Sequence, residues 1–119
     1  MQPVVLDTNA LLMPFEMHIN IDIAVASLLG DVRMIVPGPM IGELKKLDSK
    51  HAKAALSLAR KYEIYQTESS GDDAILEAAV RLNAYVLTND KELRRRLRSL
   101  RIPIIYLRSH THLVLETIS

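Results

Sequence analysis

Four places in this chain put carboxylates where they could do chemistry together. Asp7 follows the run Val4, Val5, Leu6, and Asp90 closes the similar stretch YVLTND. Glu43 lies in PGPMIGELKKL, and Asp72 and Asp73 open GDDAILEAA. Carboxylates gathered in one pocket repel, and one of them keeps its proton unless cations neutralise the set. Hard divalent cations do this: Mg²⁺ or Mn²⁺ takes oxygen ligands from a few carboxylates and retains several waters. Such a site holds a phosphate oxygen, acidifies a bound water and stabilises a leaving oxygen, which is the chemistry of phosphodiester hydrolysis. Each acid alone has an ordinary reading. Asp72 after Gly71 serves as a helix N-cap, and Asp73 suits the positive end of a helix dipole. Glu43 sits three residues after Met40 and four before Leu47. It is therefore expected on the apolar side of its helix, where an unpaired charge is costly. The combination, rather than any one member, points to a site.

Other chemistries find less footing. The chain has no cysteine, which removes disulfides, thiolate zinc sites and cysteine nucleophiles together. No serine stands in a Gly-x-Ser-x-Gly elbow. His110-x-His112 has no neighbouring Cys or acid to complete a zinc site, so these two read as structural or surface residues, and His18 and His51 are isolated. Asp7-Thr8-Asn9 is not the Asp-x-Asp of nucleophilic-aspartate phosphatases, and the receiver-domain pattern of a mid-sheet acceptor Asp with a late Lys is also missing.

The elements that would position the acids alternate between two periods. Short β-branched runs at 4–6, 34–37, 63–65, 84–87 and 103–107 read as strands, with helical patterns at 19–29, 39–47, 50–61, 72–82 and 89–98 between them. In the first helix the pattern places Ile23, Ala24, Ala26 and Leu28 on one side. Pro39 is a good first-turn residue for the second. Strands alternating with helices predict right-handed crossovers and an α/β fold of three layers, α/β/α, around a mostly parallel sheet of about five strands. Ligands in such sheets bind outside the carboxyl ends of the strands, and that is where Asp7-Thr8-Asn9 and Thr88-Asn89-Asp90 fall.

A length of 119 residues, 49% hydrophobic and 24% charged, predicts a single globular domain over 1–119. No apolar run reaches the roughly 18 residues of a membrane span. MQPVVLD has neither a basic leader nor a long apolar region, so a cytoplasmic protein is expected. The formal charge of +1 is unevenly spread. From Lys91 to Arg101, six basic residues face one acidic residue, leaving nine basic and thirteen acidic residues for the rest. Lys91, Arg95 and Arg98 share one side of this helical segment, with Arg94 adjacent, a strip suited to tracking phosphates. Lys45, Lys46, Lys50 and Lys53 add a second basic edge. With one Phe and four Tyr, aromatic stacking on bases has few candidates.

VVLDTNALL, PGPMIGELKKL, GDDAILEAA and AYVLTNDKEL, in this order and at these separations, resemble the PIN domain of metal-dependent ribonucleases over roughly residues 3–108. The segment TNDKELRRRLRSLRIPIIYL looks most like the archaeal branch related to the eukaryotic nucleases that process small-subunit ribosomal RNA. The compact domain is also similar to VapC toxins. The resemblance implies an Mg²⁺- or Mn²⁺-dependent endoribonuclease with Asp7, Glu43, Asp73 and Asp90 as the acidic quartet. Asp73 takes the place of the Asp in the family's Asp-Ala-Ile/Leu pattern, and Asp72 beside it is a further metal ligand. Thr8, Asn9, Thr88 and Asn89 would orient the carboxylates and hold water or phosphate. The partners implied are RNA, with an antitoxin or a ribosome-assembly factor. The apolar stretch 10–17, with Phe15 and Met17, exceeds what one small core is expected to bury. Together with the pairing common among PIN domains, it predicts a homodimer. The alternative is a PIN-like module that binds RNA or protein without cutting; loss of an acid would signal it, and none is missing.

Overall fold

A computed structural model describes residues 1–117. Six strands form one sheet in the order β3-β2-β1-β4-β5-β6. These are β1 (Gln2–Leu6), β2 (Val32–Pro37), β3 (Glu63–Tyr65), β4 (Tyr85–Leu87), β5 (Ile104–Arg108) and β6 (His112–Glu116). All neighbours pair in parallel except β5 with β6. The helices are α1 (Thr8–Glu16), α2 (Ile21–Leu29), α3 (Gly38–Lys46), α4 (Ala52–Ala59), α5 (Gly71–Leu82) and α6 (Lys91–Ser99). The three-layer α/β/α architecture with a mostly parallel sheet is as expected.

The central strands carry Val4, Val5, Leu6, Ile35, Val36, Val86, Leu87, Ile104 and Ile105, all fully buried, because helices cover both faces. On α5 the buried residues are Ala74, Ile75, Ala78 and Ala79, spaced for one helix face. Three alanines in that stripe let the helix lie close over β1, β2 and β4. Gly71, at φ 58°, makes the turn that brings Asp72 and Asp73 into the first turn of α5, and Asn83 ends the helix in the left-handed conformation.

The strand count differs from the expected five. The sixth, β6, was hidden because HLVLE is short, half polar and lies at a sheet edge, where one face and one side need no apolar cover. The helix α1 was also not expected. Its residues 10–17 do not form an exposed surface: Ala10, Leu11, Leu12 and Met13 are buried, and Phe15 and Met17 pack against the core. Most of the apolar stretch is packed within the monomer, while Pro14 and Phe15 also line an open cleft with His18 and Ile19. In α2 the side facing inward is Ile21 and Val25, whereas Ile23 is 66% exposed. That helix is apolar nearly all round, so spacing alone could not select a face. No single helix among the described residues is long and apolar enough to cross a membrane.

Candidate active site

The strand order reverses between β1 and β4, and this switch point is where an open α/β sheet leaves a crevice at its carboxyl edge. The register sets Leu6 opposite Leu87, so the next residues, Asp7 and Thr88, leave the sheet side by side. Each strand then runs directly into a helix through an aspartate. Asp7 Oδ1 accepts from the Ala10 N–H at 2.8 Å and caps α1. Asp90 Oδ1 accepts from the Leu93 N–H at 2.7 Å and caps α6. An N-cap wants a short oxygen acceptor, and an aspartate also meets the positive helix end. The polar interruptions VLDTN and VLTND are therefore strand-to-helix junctions, which is why apolar residues resume straight after Asn9.

The two junctions are tied to each other. The Thr88 hydroxyl donates to Asp7 Oδ2 and accepts from the Asp90 N–H at 3.1 Å. Asn9 Oδ1 accepts from the Asn89 N–H at 2.9 Å, and Asn89 Oδ1 accepts from the Leu107 N–H at 2.7 Å. Three of the four polar neighbours expected beside the acids, Asn9, Thr88 and Asn89, are thus joined in one network across β1, β4 and β5. Thr8 lies apart from it, lining an open cleft with Glu43, Lys46 and Leu47.

Asp7 and Thr88 are the only buried polar or charged side chains among the described residues. Burial pushes the Asp7 carboxyl up to about 7, against the lowering effect of the Thr88 hydroxyl and the Ala10 N–H, and the charges of Asp90 and Asp72 add to the rise. Asp72 is raised as well, by partial burial and then by Asp90. Glu43 is raised by partial burial and then by Asp72. Asp7, Asp90, Asp72 and Glu43 thus form one chain of mutually repelling groups.

Within the Asp72–Asp73 doublet the two side chains part. Asp73 accepts from Arg96 Nη2 at 2.7 Å, a pair between α5 and α6. Asp72 makes no ion pair among the described residues; after burial, Asp90 raises its pKa most, while Arg96 opposes the rise. Glu43 is exposed, not on the core side of its helix; Met40 and Leu44 fill that side. The expectation erred because α3 is only nine residues long, and Leu47, used to define its apolar face, lies beyond its end.

The arginine-rich helix is largely occupied within the fold. Arg95 pairs with Glu92, Arg98 with Glu116 at 2.6 Å, and Arg94 stacks over the Tyr106 ring at 4.6 Å. Among the described residues Lys91 makes no ion pair. Tyr106, as the platform under Arg94, had no signal in the sequence beyond its place in a strand. His110 and His112 do not act as a pair. His110 lies in the turn before β6 and lines a small cleft with Asn9 and Asn89, whereas His112 meets the Thr111 hydroxyl at 3.0 Å.

All donors in the acidic chain are carboxylate oxygens, the ligand type hard divalent cations prefer. Among the described residues no three such side chains stand close enough together to share an ion. Glu43, Asp72 and Asp90 are exposed, whereas Asp7 is buried with both oxygens hydrogen-bonded. The donor chemistry and the accumulated negative charge fit a divalent cation.

Comparisons with known proteins agree with this fold. A family described as a PIN like domain matches residues 4–110. Ribonuclease VapC9 of Archaeoglobus fulgidus is 32% identical over 121 residues, covering 94% of this chain and 87% of the relative. Ribonuclease VapC4 of Methanocaldococcus jannaschii is 33% identical over 120 residues, covering 91% and 92%. A solved structure of the PIN domain endonuclease Utp24 matches with a TM-score of 0.82 at 23% identity, over 98% of this chain and 92% of that one. At that identity the structural likeness speaks for the fold.

Proposed function

This chain belongs to the family of PIN-like domains, and on that premise we propose that it is an endoribonuclease dependent on Mg²⁺ or Mn²⁺, hydrolysing RNA phosphodiester bonds at the acidic crevice. The observation that carries the reading is the buried Asp7 carboxylate at the sheet's switch point, held near neutral pKa and electrostatically joined to Asp90 and Asp72. Asp7, Asp72, Asp90 and Glu43 would hold the cation; Asp73, the member of the doublet implied by family resemblance, is turned to Arg96. A divalent cation bound there would neutralise phosphate charge and acidify a water.

The protein's own groups divide the remaining work. The Ala10 N–H and the Thr88 hydroxyl fix both oxygens of Asp7, so this carboxylate has a set direction before substrate arrives. Asp90 has one oxygen engaged in capping α6, and the other accepts no hydrogen bond among the described residues. Glu43, exposed in the cleft it lines with Thr8, would add its carboxylate from α3 to the cation, and the attacking water gives up its proton to solvent. The bond formed is water oxygen to phosphorus, and the bond broken is phosphorus to the leaving ribose oxygen, which regains a proton from solvent.

The curated relatives at 32% and 33% identity are named as VapC ribonucleases, which favours a toxin-type role controlled by an antitoxin over ribosomal RNA processing. The test is incubation with structured and single-stranded RNA plus Mn²⁺ or Mg²⁺, comparing wild type with Asp7→Asn and Asp90→Asn. Cleavage by wild type alone is expected. Equal cleavage by all three would mean a contaminant and overturn the site; binding without cleavage would make the chain an RNA-binding module.

A further inference from the structure

The arginines of α6 each pair with an acid or stack on Tyr106, although Arg95 and Arg98 stay exposed and Lys91 makes no ion pair among the described residues. The lysines of the α3–α4 segment differ from them. Among the described residues none of Lys45, Lys46, Lys50 and Lys53 makes an ion pair or side-chain hydrogen bond, and all four are exposed. They line two adjoining open clefts that share Leu47. The first, about 310 Å³, holds Lys46 together with Glu43 and with Thr8, the residue next to Asp7. The second, about 500 Å³, holds Lys45, Lys50 and Lys53.

Fold stability explains only half of this set. Lys45 and Lys46 sit in the last turn of α3, where a cation suits the negative helix end. Lys53 lies in the first turn of α4, Lys50 just before it, and that turn has no acidic residue and no side-chain cap. Cations at the positive end of a helix are unfavourable, so their placement works against α4 unless an anion comes to that point.

We propose that the two clefts form the path of the RNA backbone away from the acidic crevice, with Lys46 meeting the phosphate nearest the cut and Lys45, Lys50 and Lys53 meeting successive ones. The path rests on the ribonuclease reading above and assigns its substrate surface to α3 and α4. The apolar lining, Leu47 and Leu56, accommodates ribose and base faces without reading sequence. Lysine contacts to phosphate bind without base discrimination and release counterions, so affinity falls steeply with salt.

The test measures binding of a fluorescent single-stranded RNA against salt in the Asp7→Asn background with Mg²⁺. Cleavage is measured in parallel with the wild-type active site. Replacing all four lysines by Ala should weaken binding at least about 10-fold at low salt and flatten the log–log salt slope by roughly 2 to 3. In cleavage it should raise KM by a larger factor than it lowers kcat at saturating RNA. Replacement by Arg restores both and controls for folding, and Arg95→Ala with Arg98→Ala changes the slope by less than one unit. An unchanged slope in the four-Ala variant, with wild type binding and cutting normally, overturns the path alone and leaves the lysines to an acidic protein partner. If wild type neither binds nor cuts RNA, the ribonuclease reading falls and the path with it.

Discussion

The Thr88 hydroxyl donates to the buried carboxylate of Asp7, a residue 81 positions earlier in the chain. The contact exists because β1 and β4 are parallel neighbours in a register that places Leu6 opposite Leu87. The residue after each strand then lands beside the other, one as an acid and one as its donor. Asn9 and Asn89 repeat the tie one step outward.

Asp7 should make stability fall as pH rises. Its folded pKa of about 7 lies above the ordinary 3.8, so between these values the folded protein keeps a proton that the unfolded chain releases. Stability contributed by this group is complete below pH 3.8, is lost through that window and levels off above about 7. Asp7→Asn, which cannot ionise and still caps α1, should therefore be more stable than wild type at pH 8, on the order of 2–4 kcal/mol without divalent metal. Urea unfolding at pH 4.5 and 8 checks this; an equal difference at both pH values would contradict it.

Removing the donor should have the opposite consequence. Thr88→Val leaves Asp7 Oδ2 and the Asp90 N–H without partners, costing about 1–3 kcal/mol. It should also push the Asp7 pKa further up, because the Thr88 bond lowers it. Thr88→Ser should retain most of both properties. Carboxyl-carbon NMR titration of Asp7 in the three proteins measures the shift directly.

Divalent metal should separate the aspartate doublet. Mn²⁺ at 100 times its Kd should stabilise wild type by about 2.7 kcal/mol, since the folded state alone presents the joined acids. Asp72→Asn should lose most of this gain. Asp73→Asn should keep it, because that carboxylate is paired with Arg96. Differential scanning calorimetry with and without Mn²⁺ reads both, and the reverse pattern would return the ligand role to Asp73.

Arg94 offers a test of packing against charge. Its Nε is buried without a hydrogen-bond partner while its guanidinium covers Tyr106. Arg94→Met removes the unsatisfied donor and keeps an apolar body on the ring, so stability should change by less than about 1 kcal/mol. Arg94→Ala, which uncovers the ring, should cost more. Thermal unfolding of the two variants side by side decides it.

Several of these relationships could be read in the chain before any contact was known. The strand runs end on Asp7 and Thr88, the helix starts carry Asp72 and Asp73, and local period suffices for both. The α/β order followed from them. Local period failed at α2, where apolar residues surround the helix, and at β6, where an edge strand needs no apolar run. It also failed at Glu43, whose helix stops before the residue used to orient it.

Charge showed the same division. Composition concentrated the positive charge in Lys91–Arg101, yet Asp73, Glu92 and Glu116 neutralise arginines there from three different elements, and only packing brings two of those acids within reach. The sequence by itself determined the alternation of strands and helices and the acids at their junctions, because these depend on neighbours a few residues apart. The caps fell differently, on Asp7 and Asp90, while Ser70 rather than Asp72 stands at the N-cap of α5. The tertiary structure decided that Thr88 serves Asp7, that Asp73 pairs with Arg96, and which arginines of α6 find acids on other elements. Those outcomes depend on strand register and helix rotation, which are set by packing between segments far apart in the chain.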